Sequence, residues 1–178
     1  MKADAPAAES CWALTFTSPQ PYGPVAELLD DLQQARIAGS ITDGVLFLQH
    51  RPTVTLGRRG RDGFLRWARE EYARQGIELH TSARGGDVTY HGPGQLVMYP
   101  ILKLGGREAD AHGYMTNLEE IAIRTAGDFG VKARRRGGLN GAWTDGGKIA
   151  AIGFRLNSVP DTERVYLIWS VQNLGGGL

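Results

Sequence analysis

The chain has 178 residues, 42% hydrophobic and 22% charged, with 20 basic against 19 acidic side chains and a formal net charge of +1. This length suits one domain with a hydrophobic core of its own. The near-neutral balance lacks the cationic excess that drives polyanion binding, and no stretch approaches the ~18 consecutive apolar residues of a membrane span, so neither nucleic acid nor membrane is an expected partner.

In chain order, residues 1–10 carry Lys2, Asp4 and Glu9 without an apolar run. They read as a flexible leader rather than a secretory signal. The single cysteine, Cys11, forms no internal disulfide, which fits a reducing, cytoplasmic setting. Trp12–Phe16 reads as a short strand. Apolar residues at Val25, Leu28, Leu29, Leu32 and Ala35 predict a helix over 25–37, with Pro24 in its first turn and Gly39 stopping it. Val45–Leu48 is a continuous apolar run expected to be a buried strand, followed by a strand at Val54–Leu56. Phe64–Gln75 reads as a helix with Phe64, Leu65, Trp67, Ala68 and Tyr72 on one side. Ile77–His80 leads towards a strand at Val88–Tyr90, and Leu96–Leu102 is the most apolar strand. Asn117–Phe129 is the second strong helix, with Leu118, Ile121, Ala122 and Thr125 in register. Lys132, Arg134, Arg135 and Arg136 form the one dense basic patch, expected to be a solvated loop. Lys148–Leu156 is the final strand. Strands and helices mix without regular alternation and without repeats, which predicts an α/β domain of the mixed α+β kind, a sheet with packed helices.

The sharpest segment is Ala83-Arg84-Gly85-Gly86-Asp87-Val88-Thr89-Tyr90-His91-Gly92-Pro93-Gly94-Gln95. Glycine at such density costs backbone entropy on folding and usually means that the backbone must approach something closely. Paired glycines also turn successive N–H groups towards one concavity, which suits an anion or a carbonyl oxygen. A pair of tight turns in a hairpin is the structural alternative. His50, His80 and His112 share no ligand spacing, so no metal site and no cofactor are expected.

The run Arg-Gly-Gly-x-x-Thr-Tyr-His-Gly-Pro-Gly-Gln from Arg84 to Gln95 resembles the signature of the octanoyltransferases of lipoate biosynthesis, the lipoyl(octanoyl) transferases. His50–Gly60 resembles the family's Pro-x-x-Thr-x-Gly segment, and Gly141–Gly153 its later lysine segment. The resemblance implies the catalytic fold of biotin and lipoate protein ligases. It implies transfer of an octanoyl group from acyl carrier protein, through a thioester on an enzyme cysteine, to a lysine of a lipoyl domain. The acceptors implied are the lipoyl domains of 2-oxoacid dehydrogenases and the glycine cleavage H protein. By the same resemblance, Arg84, Gly85, Gly86, Asp87, Val88, Thr89, Tyr90 and His91 line the acyl pocket with Ala151, Ile152 and Gly153, and Lys148 is the catalytic lysine. An ammonium there would favour a thiolate and stabilise an oxyanion. His91 is read either as a proton carrier or as a hydrogen-bonded part of the pocket wall.

After Asn157 the resemblance stops. The family continues with Thr-x-His-Gly and then Pro-Cys-Gly, whose cysteine is the nucleophile, whereas this chain runs Ser158 to Leu178 without either. The domain is therefore expected over 11–157, followed by a divergent tail over 158–178, with the C-terminal part of the fold missing. Cys11 lies outside every motif and is expected to be inert. Poor transfer follows as an expectation. A non-catalytic acyl- or lipoyl-domain-binding protein and an ATP-dependent ligase-like enzyme are the alternatives. Loss of the later segment predicts exposed sheet edges, with Val165–Trp169 covering part of one.

Overall fold

A computed structural model describes residues 10–105, 111–158 and 164–173. Of the expected leader only Ser10 is described, and 159–163 and 174–178 of the expected tail lie outside the described residues. The strands are β1 (Trp12–Thr15), β2 (Gly44–Leu48), β3 (Thr53–Leu56), β4 (Glu78–Thr81), β5 (Val88–His91), β6 (Val97–Gly105), β7 (Arg134–Arg136), β8 (Leu139–Thr144), β9 (Gly147–Ser158) and β10 (Arg164–Asn173). The helices are α1 (Tyr22–Ile37), α2 (Arg69–Arg74) and α3 (Ala111–Asp128). Seven strands form one mixed sheet in the order β1-β2-β6-β10-β9-β8-β7, and β4-β3-β5 form a second, smaller one.

Alternation along the central strands decides where the helices sit. In β2 and β6, Leu46, Leu48, Val97, Tyr99 and Ile101 are buried together with Val25 and Leu29 of α1. The other face of β6 offers Met98, Leu102 and Leu104, which pack with Met115 and Leu118 of α3 and Ile152 of β9. The two helices therefore cover opposite faces of the large sheet. Each fully buried aliphatic side chain there stabilises by about 1.5–3 kcal/mol. Most of the ion pairs join exposed groups, where a pair contributes roughly 0–1 kcal/mol. Core packing, not surface charge, holds the helices on the sheet.

The small sheet joins the α1 side through His50, in the connection between β2 and β3. His50 Nδ1 lies 3.1 Å from the Gln20 carbonyl and Nε2 2.8 Å from the Tyr99 hydroxyl. The tautomer that satisfies both donates from Nδ1 and accepts at Nε2, and burial lowers the pKa of the ring, keeping it neutral.

Several elements differ from the sequence expectation. Phe64–Gln75 is not one helix: a 3-10 turn at Asp62–Phe64 gives way to extended backbone at Leu65, and α2 occupies only Arg69–Arg74. Tyr72 is buried, but Phe64 and Trp67 are exposed, so the apolar spacing does not mark a continuous packed face. The helix expected from Asn117 starts six residues earlier, at Ala111. Arg134–Arg136 is an edge strand rather than a loop. Its three side chains are exposed, a charge pattern that discourages further strand pairing. Val165–Trp169, expected to cover part of a sheet edge, lies within β10, which pairs antiparallel with both β6 and β9. Among the described residues no helix is long and apolar enough to cross a membrane.

Candidate active site

Two loops distant in sequence build one wall of a cavity. The end of β3 runs beside the glycine segment that precedes β5. There Gly57 N–H donates to Asp87 O (2.7 Å), Arg58 N–H to Arg84 O (3.0 Å) and Arg59 N–H to Gly86 O (3.2 Å). A Cβ on Gly57 would lie 2.5 Å from Gly86 O and 2.9 Å from Arg84 Nη1, so only glycine admits this approach. Gly86 itself sits at φ +88°, in the left-handed region that favours glycine.

Arg84 holds the wall together. Its Nη2 donates to Thr55 O and Thr55 Oγ1, both at 2.8 Å, and more weakly to Asp87 O at 3.3 Å, while Nη1 donates to Gly85 O at 2.9 Å. One planar guanidinium thereby ties β3 to both sides of the glycine turn, a fork geometry that lysine cannot reproduce. Arg84 Nε is buried without a hydrogen-bond partner among the described residues. Burial also pulls the guanidinium below its ordinary pKa.

The opposite wall comes from β9, shaped by a β-bulge. Ala142 pairs with Ala150 but the next residue, Trp143, pairs with Lys148, which leaves Ile149 as the extra residue. An extra residue shifts the side-chain alternation by one. Ile149 and Ala150 both turn towards the Ala122 side of α3. Lys148 is thereby re-aimed to the face carrying Ala151 and Gly153. That face looks across at Arg84: a Cβ on Gly153 would lie 3.4 Å from Arg84 Cδ and 3.6 Å from Gly85 O.

Between the walls lies a cavity of about 980 Å³. Arg84, Gly85, Gly86, Asp87, Val88, Thr89 and Tyr90 line it from one side, and Lys148, Ala151, Ile152 and Gly153 from the other. Met115, Leu139 and the Arg58–Arg59 pair complete much of the lining. The lining mixes apolar side chains with Arg58, Arg59, Arg84, Lys148 and the Asp87 carboxylate, which pairs with Arg59 at 3.7 Å.

Lys148 is half-buried, with Nζ 4.6 Å from the centroid of the Trp143 ring. Burial lowers its pKa from the ordinary lysine value, and the Glu119 carboxylate opposes that shift. The aromatic face also favours the ammonium. No carboxylate lies within ion-pair distance of Nζ among the described residues; Glu119 instead accepts the Gly141 N–H at 2.8 Å and pairs with Arg135 at 3.2 Å.

His91 is not among the side chains lining the cavity. It is 1% exposed, behind the wall, with Nε2 3.3 Å from Thr55 Oγ1 and its ring against those of Tyr22 and His50. Burial, reinforced by His50 and Arg84, lowers its pKa to about 3. Cys11 is exposed and does not line the cavity. Among the described residues no group of three or more His, Cys, Asp or Glu side chains is placed to hold a metal ion.

Residues 24–159 match the lipoyl protein ligase A/B catalytic domain. The chain belongs to this family. Among curated relatives it is 45% identical over 139 residues to an octanoyltransferase of Rubrobacter xylanophilus, covering 78% of this chain and 62% of that protein. It is 49% identical over 116 residues to an octanoyltransferase of Geobacter metallireducens, covering 65% and 51%. The chain thus spans less than two thirds of the length of either relative. Solved structures agree in fold. The bi-partite lipoate protein ligase of Thermoplasma acidophilum superposes with a TM-score of 0.67 at 18% identity, over 96% of this chain and 63% of the other. A lipoate-protein ligase A bound with ATP gives 0.69 at 17% identity, over 93% and 68%. The expected lipoate-ligase fold, a mixed sheet with packed helices, is the fold found.

Within this lipoyl-ligase domain, Met115 and Leu139 were not expected at the cavity. Their placement depends on how α3 and the β7–β8 hairpin dock, which no local pattern encodes. Arg58 and Arg59 follow directly on Gly57, inside the segment that carries the family resemblance, so a signal for them was present.

Proposed function

We propose that the cavity binds the octanoyl group of a thioester donor presented by acyl carrier protein, in the reaction that octanoylates a lipoyl-domain lysine. The observation that carries this reading is the convergence of two separate segments, Arg84–Tyr90 and Lys148–Gly153, on one cavity. Val88, Met115, Leu139 and Ile152 supply apolar surface for the chain. Lys148, as an ammonium, would stabilise the oxyanion of a tetrahedral intermediate. The exposed Arg58 and Arg59, the latter shared with Asp87, suit an acidic carrier, for which charge steers encounter. A cytoplasmic location follows from these partners.

The polypeptide holds no cysteine besides Cys11, and Cys11 is outside the cavity. We therefore expect these 178 residues by themselves to transfer octanoate slowly. The test is transfer from octanoyl-acyl carrier protein to a purified lipoyl domain, with and without ATP. The expected result is ATP-independent transfer far below the order of 1 per second typical of enzymes. Turnover at that ordinary rate would overturn the expectation of impairment. Transfer from free octanoate that consumes ATP would overturn the thioester reading in favour of ligase chemistry.

A further inference from the structure

We propose that Lys148 is itself an acylation site, taking the acyl group of a bound thioester onto its own side chain as an amide. The inference rests on the cavity being an acyl site, but adds a reaction that the reading above does not contain. Three structural observations support it. First, the Ile149 bulge re-aims Lys148 onto the same face as Ala151 and Gly153, opposite the Arg84 wall. Second, Lys148 supplies the one amine among the described residues lining the cavity. Third, Nζ has no carboxylate within ion-pair distance among the described residues, so no salt bridge holds it as an ammonium and only the Trp143 ring, 4.6 Å away, favours its charged form. Burial adds to this by raising the neutral fraction of the amine at a given pH.

The chemistry balances without a further reagent. The neutral Nζ attacks the thioester carbonyl carbon, so that a C–N bond forms while the carbonyl electrons move to oxygen. Collapse of the tetrahedral adduct breaks the C–S bond, and the electron pair leaves on sulfur. The extra proton on nitrogen passes to the departing thiolate, which leaves as a free thiol. An amide does not return its acyl group to a thiol under mild conditions, so the product is a single-turnover dead end with the acyl chain left in the cavity. Holding amine and thioester together is the source of selectivity, because it replaces a bimolecular encounter by an intramolecular one.

The sequence provides internal controls, since its other lysines are Lys2, Lys103 and Lys132. The experiment incubates the full chain with octanoyl-pantetheine, follows intact mass over time and maps the adduct by peptide mass spectrometry. In parallel, an unreactive octanoyl-pantetheine amide analogue is titrated to measure binding. The expected result is one octanoyl group per chain on Lys148, saturable in donor and at least about tenfold faster than on Lys132. K148R should bind the analogue while forming no such adduct. If the analogue binds but Lys148 reacts no faster than Lys132, self-acylation is overturned and the acyl site stands. If the analogue does not bind, the acyl site falls and the inference falls with it.

Discussion

Replacing Arg84 with alanine is expected to cost about 2 to 4 kcal/mol of folding stability, because hydrogen bonds from charged groups contribute roughly 1.5–3 kcal/mol and stranded partners add a desolvation cost. In a domain of this size that corresponds to a fall in Tm of roughly 5 to 15 °C. The loss has a named origin. The Thr55 carbonyl and hydroxyl, Gly85 O and Asp87 O all lose the same guanidinium at once, and the glycine turn loses its tie to β3. Arg84→Lys should recover only part of the loss, since one ammonium cannot reach both Thr55 and Gly85 in the forked geometry. Thermal unfolding of the three proteins is the measurement. An Arg84→Ala protein with an unchanged Tm would show that the wall does not depend on this side chain.

Acid should destabilise the protein through His91 well before its carboxylates are neutralised. The ring is protonated at about 3 in the folded chain, against the ordinary value of 6.5 when unfolded. Above pH 6.5 both states are neutral and the group contributes no slope. Between 6.5 and about 3 the unfolded chain takes up a proton that the folded chain refuses, so stability falls by about 1.4 kcal/mol per pH unit. Below about 3 the folded state also binds the proton and the slope disappears. The full loss is on the order of 3 to 6 kcal/mol, and His50, depressed in the same direction by burial, adds to it. Urea unfolding at pH 7, 6 and 5 for the wild type and His91→Gln measures the effect. The variant should show a clearly shallower decline, whatever its stability at pH 7. Independently, the His91 ring resonances should remain those of a neutral imidazole to below pH 5. Titration of that ring near 6.5 would refute the account of its burial.

The strands that carry the core were legible because their residues leave no alternative. Val45–Leu48 and Leu96–Leu102 are apolar runs bounded by turn residues, and helix α1 shows its apolar spacing from Val25 onwards. The early start of α3 was hidden by Gly113, a poor helix former placed before the periodic residues. Arg134–Arg136 gave no strand signal, since its pairing to β8 is fixed by the hairpin and by contacts such as Arg135 with Glu119 and Glu120. The glycine segment was visible as a candidate site from its composition alone. Its physical reason was not visible, because Gly57 and Gly86 are brought together by hydrogen bonds between loops almost thirty residues apart. The same holds for Lys148: the sequence places it at a strand's start, and only the Ile149 bulge decides which face it joins.

The most direct test of the acyl site is an NMR titration of the isotope-labelled chain with the unreactive octanoyl-pantetheine amide. Saturable shifts should concentrate on the amides of Gly85–Tyr90 and Ala151–Gly153, with contacts from the octanoyl methylenes to Val88, Met115 and Ile152. Saturable binding that leaves both segments unperturbed, or the absence of binding at millimolar ligand, would contradict the account.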